Sequence, residues 1–367
     1  MVKLEHPLRV LHIVSGDLWA GAEAQVFTLL GQLQALAAPK VVVLNPGELA
    51  DRLRQLNIPT IILPEANLSS LQIFMQLLKI IYTYKPHVVH THRQKENILG
   101  GCAFAVNRLL GRAGVSVRTV HGAAEFSPRG LRRVQEYINT WVGRYIQSQL
   151  IAVSEDLRAQ LLATFKANKL TLVRNGVDEQ ALRALLPSHL NTEQAFHVGI
   201  VGRLETVKRV DIFLAMAAQL TSAAPSINWQ FHVIGDGSLA AQLKATAASL
   251  PLDGRVQFHG QVNPVAPLLA QLNMIVMCSD HEGTPMVALE ALALGVPLLA
   301  HKVGGLAELL AGCEALLVSD HSPEGYADKL LAYCRAPCAP VSLPAEYTAR
   351  FNAQAMLALY NRLLSAA

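Results

Sequence analysis

The feature that most constrains this chain is the repeated alternation of short apolar runs with longer amphipathic stretches. The first run, Leu8–Val14, is almost wholly apolar, and a helical pattern follows it over Ala22–Leu36. A strand that is buried on both faces has this continuous apolar pattern, and such strands form parallel sheets covered by helices. Further strands of the same kind are predicted at 40–44, 60–63, 87–90, 117–121, 150–153, 197–201, 229–234, 255–260, 274–278 and 297–301. The alternation predicts an α/β fold whose ligands bind where strands end.

Length and composition predict two packed domains. The chain has 367 residues, of which 51% are hydrophobic and 16% are charged. This exceeds one ordinary hydrophobic core and excludes a disordered chain. The polar, proline-containing segment 187–194 is typical of a linker, so we place one domain at 1–186 and the other at 195–340. A final amphipathic helix is predicted near 348–364.

The sequence also predicts a cytoplasmic protein. Met1–Val14 carries Glu5 and lacks the apolar core of a secretory signal. No apolar run approaches the roughly 18 residues of a membrane span. The five cysteines are scattered and odd in number, which favours reduced thiols over a disulfide framework, and no second cysteine pair completes a zinc site.

Charge is distributed unevenly along the chain. Up to His189 there are 21 Lys and Arg residues against 13 Asp and Glu, whereas the remainder has 10 against 14. A basic half suits an anionic partner such as a phospholipid surface or a lipid phosphate, although ordinary solvated charge is the alternative. Peripheral contact with the inner face of the cell membrane is therefore a hypothesis, and nucleic acid is not an expected partner.

One segment of the basic half, residues 130–149, bears directly on that hypothesis. Arginines at 129, 132, 133 and 144 flank apolar residues at helical spacing, namely Leu131, Val134, Ile138, Trp141, Val142 and Tyr145. The segment is either a helix on a membrane surface or a helix packed on the sheet with solvated arginines. We favour the packed helix, because packing itself requires an apolar stripe.

The stretch Ser279–Pro297 has the pattern of a loop and a helix that follow a buried strand. Thr284 is expected to be the N-cap and Pro285 the first helical residue. The free amides of the first turn, near Met286 and Val287, would then form an anion site at the carboxyl end of the strand.

Two acids frame this expected site. Glu282 lies in the loop before the helix, and Glu290 is the only polar side chain between Pro285 and Gly295. Helical spacing places Glu290 on the face of the first turn. An acid in such apolar surroundings requires a hydrogen-bond partner when buried, and a ribose diol would serve. Gly295 is expected to end the helix.

Two cations and several histidines lie at other predicted strand ends. Arg203 and Lys208 follow the strand at 197–201, where together they can neutralise a diphosphate. His121 ends the strand at 117–121 and is a neutral donor, a general base or a structural group. His90 and His92 end another strand, and we interpret them as structural or acceptor-side residues. The glycine-containing loop before Ala22 can bring backbone amides to a phosphate, yet the G-x-G-x-x-G fingerprint of dinucleotide sites is absent.

These motifs resemble those of the retaining GT-B glycosyltransferases, and family 4 is the most similar family. Glu282 and Glu290 stand in the pattern Glu-Gly-Thr-Pro…Glu-Ala, and residues 202–208 match Gly-Arg-Leu…Lys. The chain departs from the family at two places. Residues 20–23 read Ala-Gly-Ala-Glu where the family has Gly-Gly-x-Glu, and Arg209 replaces a glycine.

The resemblance implies a GT-B fold, in which two Rossmann-like doubly wound domains face each other across a cleft and a C-terminal helix, here 346–367, packs back on the first domain. It implies catalytic roles for His121, Glu282, Arg203 and Lys208. It implies that the sugar donor is bound by Gly21, Gly202, Arg203, Lys208, Gly235, Asp236, Phe258, Gly260, Glu282, Gly283, Thr284, Pro285, Met286, Val287 and Glu290.

The resemblance also implies the chemistry. A sugar would move with retention from a nucleotide-diphospho-sugar, with UDP expected, to a saccharide or lipid-linked acceptor in cell-surface polysaccharide or lipopolysaccharide synthesis. No cofactor is expected, and the absence of an Asp-x-Asp triplet favours metal-independent transfer. The alternatives are a GT-B-fold sugar-nucleotide epimerase, a NAD-dependent oxidoreductase, and a non-catalytic protein that binds sugar nucleotides.

Overall fold

The structure, a computed structural model, describes residues 7–122, 130–187, 195–252, 254–339 and 341–366. Its internal contacts divide the chain into two compact units. The first unit comprises residues up to Gly176 together with Ala345–Ala367, and the second comprises Val177–Pro344. Most of the predicted linker at 187–194 lies outside the described residues.

The first unit is built on a seven-stranded parallel sheet. Its strands are β1 (Arg9–Val14), β2 (Ala38–Val43), β3 (Thr60–Ile62), β4 (Val88–Thr91), β5 (Val115–Val120), β6 (Gln149–Ala152) and β7 (Leu170–Leu172), in the order β3-β2-β1-β4-β5-β6-β7. Its helices are α1 (Gly21–Leu33), α2 (Glu48–Gln55), α3 (Ser70–Tyr84), α4 (Gln94–Leu109), α5 (Leu131–Tyr145) and α6 (Glu155–Leu162).

The second unit is built on a six-stranded parallel sheet. Its strands are β8 (Phe196–Val201), β9 (Trp229–Ile234), β10 (Val256–Gly260), β11 (Met274–Met277), β12 (Leu298–His301) and β13 (Leu317–Val318), in the order β10-β9-β8-β11-β12-β13. Its helices are α7 (Glu179–Ala184), α8 (Val210–Ala223), α9 (Ala240–Ser249), α10 (Ala266–Leu269), α11 (Met286–Leu294), α12 (Gly304–Leu309) and α13 (Pro323–Arg335).

The last helix, α14 (Ala349–Ser365), belongs to the first unit. Met356, Leu359 and Tyr360 are buried in the same core as the apolar side of α1. The side-chain Nε2 of Gln25, on α1, donates to Asn352 Oδ1 over 3.0 Å. Apolar burial and a paired polar contact together fix the position of α14 in this unit.

The two sheets share one topology. In each, the chain forms the first strand, adds two strands on one side and then crosses over to the other side, so the order reverses between β1 and β4 and again between β8 and β11. This is the doubly wound Rossmann order, in which ligands bind at the reversal, beyond the carboxyl ends of the strands. The predicted fold class, α/β with two Rossmann-like doubly wound domains, is confirmed.

Our interpretation of α5 as a helix packed by its apolar stripe is only partly right, because Val142 is buried and most of the other stripe residues are not. Val134, Ile138, Trp141 and Tyr145 are all exposed, and Tyr145 retains 70% of its accessible surface. Polar contacts also hold the helix, because the buried Asn139 accepts a hydrogen bond from Arg118 over 2.7 Å. Leu131 has no described side chain. In the part of the chain that the structure describes, no helix is long and apolar enough to cross a membrane.

Helix α11 begins one residue later than expected. Pro285, with extended backbone angles, is the N-cap, and Met286 is the first helical residue. Thr284 lies before the cap and is buried. The predicted end of the helix is confirmed, because Gly295 has φ of +75°, a left-handed conformation that costs glycine little.

Candidate functional site

The two loops at the topological reversal of the second unit are bonded to each other. The Asp280 amide donates to the Val207 carbonyl over 2.9 Å. The Lys208 Nζ contacts Glu282 Oε1 at 2.5 Å. Gly202, Lys208 and Ser279 also line a small pocket at the same place. The loop after β8 and the loop after β11 therefore form one structure, which brings together residues that are about 75 positions apart.

The Lys208–Glu282 pair is mostly shielded from solvent. The two side chains retain 19% and 9% of their accessible surface, respectively. Removing one partner would leave the other charge partly desolvated and uncompensated. Two residues that were predicted to bind the donor thus neutralise each other, and an anionic ligand would have to compete with Glu282 for the lysine.

Arg209 shows why a glycine is common at its position. Its backbone is left-handed, with φ of +49° and ψ of +46°, a conformation that costs a side-chain-bearing residue roughly 1–2 kcal/mol. The guanidinium contacts Asp211 at 3.0 Å and Asp280 at 3.3 Å. These ion pairs offset the strain and attach the start of α8 to the loop after β11, so the departure from the family pattern leaves the turn intact.

Backbone contacts hold the neighbouring loops together. The Gly202 amide donates to Ile234 at 3.0 Å, and the Gly235 amide donates to Gly260 at 2.8 Å. Gly235 has φ of +135°, and a Cβ built on it would lie 1.9 Å from the Gly202 carbonyl oxygen. Only glycine fits there. Gly202, Gly235 and Gly260, predicted separately, thus lie along one edge of the sheet.

The other predicted residues of these loops lie at the same edge. Arg203 is on the exposed loop after β8, and Asp236 is exposed after β9. Phe258 is partly buried on β10. Hydrogen bonds from Ser238, with a smaller contribution from the Arg203 charge, lower the pKa of Glu205. The carboxylate of Glu205 therefore stays ionised and stabilises the turn through Ser238.

The first turn of α11 presents two free donors. The backbone amides of Met286 and Val287 have no acceptor among the described residues. The start of α12 holds the loop before α11 in place, because the Gly305 backbone amide donates to the Gly283 carbonyl over 2.8 Å. Such a helix start attracts an anion through its aligned amides and dipole.

Glu290 lies one turn further along α11 and is only partly exposed. No described residue hydrogen bonds to its carboxylate. Burial raises the pKa of Glu290 to about 7. A carboxyl group that is desolvated and unpaired in the protein suits a ligand that brings hydroxyl donors of its own.

Replacement of Glu290 with glutamine is expected to make the protein more stable at alkaline pH. Because the folded state raises the pKa from 4.5 to about 7, Glu290 is protonated more readily in the fold than in the unfolded chain. The contribution of Glu290 to the free energy of unfolding is therefore fully present below pH 4.5 and is lost as pH rises through 7. The variant should gain about 3 kcal/mol over the parent at pH 8 and nothing at pH 4, measured by urea unfolding. A gain that is equal at both pH values would contradict this.

A hydrogen-bond network behind the loop was not predicted. Asp280 accepts from His321 Nε2 at 3.0 Å, and His321 Nδ1 contacts the Tyr326 hydroxyl at 3.0 Å. The His301 ring stacks on His321 with centroids 3.7 Å apart. These residues support the loop that carries Glu282. They are distant in sequence and match no motif, so spacing could not have indicated them.

In the first unit, His121 is joined to other histidines. Its Nε2 lies 3.1 Å from His92 Nδ1, and His92 Nε2 lies 3.1 Å from His12 Nδ1. His90 contacts Tyr360 and Thr119 instead. The signal for His12 was available, because it is the one ionisable residue within the buried part of the apolar strand β1.

Buried acids surround the start of α1 and α4. Glu23 is fully buried, and its Oε1 lies 2.6 Å from an Arg93 nitrogen. Burial raises the pKa of Glu23, while the Arg93 charge opposes the shift. Burial likewise raises the pKa of Glu96 to about 7. Gly21 lies at the first position of α1, and Ala20 before it has φ of −135°, so the alanine is tolerated without strain. Neither Glu96 nor Arg93 was predicted as a site residue.

Comparison with family models covers most of the chain. Residues 19–181 match the model described as Glycosyltransferase Family 4. Residues 195–335 match the model described as Glycosyl transferases group 1. The two matches correspond to the two Rossmann-like sheets.

Individual relatives agree with the models. The chain is 35% identical over 144 residues to a D-inositol 3-phosphate glycosyltransferase of Arthrobacter sp. (strain FB24), which is 37% of this chain and 34% of that enzyme. It is 26% identical to the Escherichia coli UDP-Gal:alpha-D-GlcNAc-diphosphoundecaprenol alpha-1,3-galactosyltransferase, over 70% of this chain and 68% of that enzyme. The matched stretch of the Arthrobacter enzyme is thus about a third of its length.

Solved structures share the fold. Anabaena HepE in complex with UDP superposes with a TM-score of 0.74 at 18% identity, over 98% of each chain. The lipopolysaccharide outer core galactosyltransferase WaaB superposes with a TM-score of 0.65 at 17% identity, over 97% of each chain. These superpositions show the GT-B fold. The two family models, which together span most of the chain, show that it belongs to the family 4, group 1 glycosyltransferases.

Proposed function

We propose that this protein is a retaining glycosyltransferase that takes a sugar from a nucleotide-diphospho-sugar, with UDP as the nucleotide, and needs no metal. The observation that carries the proposal is the edge of the second sheet, where Lys208, Arg203 and the free amides of Met286 and Val287 follow the strands at the topological reversal. Fixed cations and helix amides can stabilise the charge of a departing diphosphate.

Donor binding would rearrange the Lys208–Glu282 pair. The lysine exchanges part of its contact with Glu282 for a phosphate oxygen, and Arg203 supplies the second cation. The carboxylate of Glu282 is then available to accept hydrogen bonds from sugar hydroxyls, and the backbone amides that follow it donate hydrogen bonds to sugar oxygens. One ion pair thus keeps both groups in place until the donor arrives.

The remaining donor contacts follow the sheet edge. Glu290 accepts hydrogen bonds from the ribose diol, which satisfies its unpaired carboxylate. The base lies near Phe258 and Gly260 and is recognised by backbone groups. The glycine turns at Gly202, Gly235 and Gly283 allow close approach, and Gly21 contributes an amide to the diphosphate.

The chemistry needs no protein nucleophile. The bond between the anomeric carbon and the diphosphate oxygen breaks, and the electron pair leaves with the nucleoside diphosphate. The acceptor oxygen forms its bond to the same face of the oxocarbenium-like sugar, and its proton passes to the leaving phosphate. His121 donates a hydrogen bond to the reacting sugar. The absence of an Asp-x-Asp triplet supports metal-free transfer.

The acceptor is proposed to be a saccharide or a lipid-linked saccharide of a cell-surface polysaccharide. One relative is named for a diphosphoundecaprenol-linked acceptor, and another for inositol 3-phosphate. Both acceptors carry phosphate, which fits the excess of Lys and Arg residues in the amino-terminal half.

We further propose that α5 contacts an anionic bilayer. Tyr137 and Tyr145 retain 73% and 70% of their accessible surface, and Trp141 is exposed between them. Arg133 and Arg144 are exposed on the same helix. Aromatic rings flanked by arginines suit the interface between lipid headgroups and acyl chains. Contact there would bring the enzyme to a lipid-linked acceptor.

This contact predicts selective binding to charged vesicles. The protein should sediment with vesicles of phosphatidylglycerol and not with vesicles of phosphatidylcholine, and added salt should weaken the binding. Changing Trp141 and Tyr145 together to serine should lower the binding at least about tenfold. Phe351→Ser is a matched control, since Phe351 is an exposed aromatic residue of α14. Equal loss in the control, or equal binding to both lipids, would refute the contact.

A transfer assay tests the proposed function. The protein is incubated with UDP-, GDP- and ADP-sugars, with and without a lipid-diphosphate saccharide, in the presence of EDTA. A glycosylated acceptor of retained configuration, formed with EDTA present, is the expected result. An epimerised donor in the absence of acceptor would favour the epimerase instead. Activity restored only by Mn²⁺ would contradict metal-free transfer.

A further inference from the structure

Three histidines of the first unit, His12, His92 and His121, are joined in a chain of side-chain hydrogen bonds. His12 on β1 and His92 after β4 are buried, and His121 after β5 is partly exposed. Two contacts of 3.1 Å link His12 Nδ1 to His92 Nε2 and His92 Nδ1 to His121 Nε2. The three side chains connect neighbouring strands of the sheet, because the order there is β1-β4-β5.

All three rings are neutral at physiological pH. Burial lowers the pKa of His12 and of His121 to about 3. Burial and the neighbouring histidines lower the pKa of His92 well below its ordinary value. A neutral imidazole carries one N–H and one bare nitrogen, so each ring can donate once and accept once.

This limit leaves two possible arrangements of protons. In one, each Nδ1–H donates to the next ring, so that His121 presents a free Nδ1–H and His12 keeps a bare Nε2. In the other, every bond runs in the opposite direction, and His12 would bury an Nε2–H. His12 Nε2 is buried and has no hydrogen-bond partner in the described structure. Unpaired buried N–H groups are rarer than unpaired acceptors, which favours the first arrangement.

A metal at these histidines is a weaker interpretation. One nitrogen each of His12, His90 and His92 lies within 4.8 Å of the others. However, both nitrogens of His90 are already bonded, to Tyr360 at 2.6 Å and to Thr119 at 2.8 Å. The His90 and His92 rings are also stacked, with planes 17° apart, so their nitrogen lone pairs do not converge on one point.

We propose that His92 and His12 are positioning residues that hold His121 in its Nδ1–H tautomer, so that His121 is a hydrogen-bond donor to the sugar and not a base. This inference rests on the proposed function for the identity of the ligand. It agrees with transfer in which the leaving phosphate takes the acceptor proton, because such a reaction needs a donor near the sugar and no protein base.

The experiment compares His92→Phe with His92→Asn in the full-length protein. Phenylalanine keeps the ring shape and removes both bonds, whereas an asparagine Nδ2–H can replace the Nδ1–H that donates to His121. His232→Phe is the matched control, because His232 belongs to a separate chain of histidines in the second unit. Its Nε2 lies 2.9 Å from His197 Nδ1, and its Nδ1 lies 2.9 Å from His259 Nε2. Tautomers are read from long-range ¹H–¹⁵N correlation spectra without substrate, and kcat and KM are then measured for the donor.

The expected result is an Nδ1–H tautomer of His121 in the parent, in His92→Asn and in His232→Phe, and a mixture in His92→Phe. The kcat of His92→Phe should fall about tenfold, the value of one lost hydrogen bond, and His92→Asn should recover most of it. An Nε2–H tautomer in the parent, an unchanged tautomer in His92→Phe, or stoichiometric zinc at these histidines would overturn the proposal. The spectra need no activity, so a failure of the transferase assignment would be seen separately, as absent donor turnover with the tautomer intact.

Discussion

Replacement of Lys208 with alanine is expected to lower kcat/KM by about 10²- to 10³-fold, the usual effect of removing one fixed donor from a developing anion. The Nζ of Lys208 lies beside Glu282 at the topological reversal of the second sheet, where the diphosphate is proposed to bind. Alanine removes a cation from the leaving group, and it removes the partner that holds Glu282 in place before the donor binds.

Steady-state kinetics with the donor varied, combined with urea unfolding, measures this effect. Stability should fall by no more than about 2 kcal/mol, because the Lys208 side chain keeps 19% of its accessible surface and solvent lowers the cost of breaking the pair. Lys208→Arg should retain more activity than the alanine variant, since it keeps the charge. Lys302→Ala is the matched control, because Lys302 forms an exposed pair with Glu314 at 3.2 Å. Full activity in Lys208→Ala would show that this lysine does not meet the diphosphate.

Replacement of Gly235 with alanine should destabilise the protein more than any other single change considered for this site. The new Cβ would lie 1.9 Å from the Gly202 carbonyl oxygen, a distance that requires the backbone to move. The positive φ of +135° adds strain of its own. We expect a loss of at least about 3 kcal/mol in the free energy of unfolding, with the turns after β8 and β9 displaced together.

The variant Gly254→Ala separates the effect of the close Cβ contact from the effect of the positive φ. Gly254 also has a positive φ, +74°, but among the described residues, its chain neighbours aside, no atom lies within 4 Å of a Cβ built there. Its substitution should cost only the conformational term, roughly 1–2 kcal/mol. The measurement is urea unfolding of both variants with a common m value. If Gly235→Ala lost no more stability than Gly254→Ala, the close contact between the two turns would not exist.

Much of the fold could be predicted because parallel strands have a strong local signal. Buried runs such as Ile275–Met277 are apolar throughout, and the glycine turns mark their ends. Two short edge strands gave no such signal, although the equally short β3 was predicted from its apolar run. Strand β13 has only two residues, Leu317 and Val318, and strand β7 is interrupted by Thr171, so neither shows an apolar pattern. These edge strands are defined by pairing with a neighbour, which a local sequence window does not contain.

Only some residues of the candidate site could be proposed from the sequence, for a physical reason. Residues with a motif, such as Lys208, Glu282 and Glu290, stand next to turns and helix starts that the sequence reveals. Residues that act through other residues lack such markers. His12 and His321 were missed because their partners are 80 and 41 positions away in the sequence.

The prediction for helix α5 failed in part for a different reason, namely that the signal was present but did not show which face is buried. Its apolar stripe is real, but periodicity does not say which face of a helix meets the sheet. The inward face carries Asn139 and Val142, and the aromatic residues point to solvent. Hydrogen bonds from Arg118 and Asn97 to Asn139 fix that orientation. The exposed aromatic residues of α5 are not used in packing and can contact a lipid bilayer. This is why we propose that contact.

The central claim is that the cations and free amides of the second unit bind the diphosphate of a nucleotide. The most direct measurement is calorimetric titration of UDP into the full-length parent, into Lys208→Ala and into the double variant Arg203→Ala with Lys208→Ala. We predict binding to the parent without added metal, a Kd raised at least about tenfold in the single variant, and no measurable binding in the double variant. Equal UDP affinity in all three proteins would contradict the account.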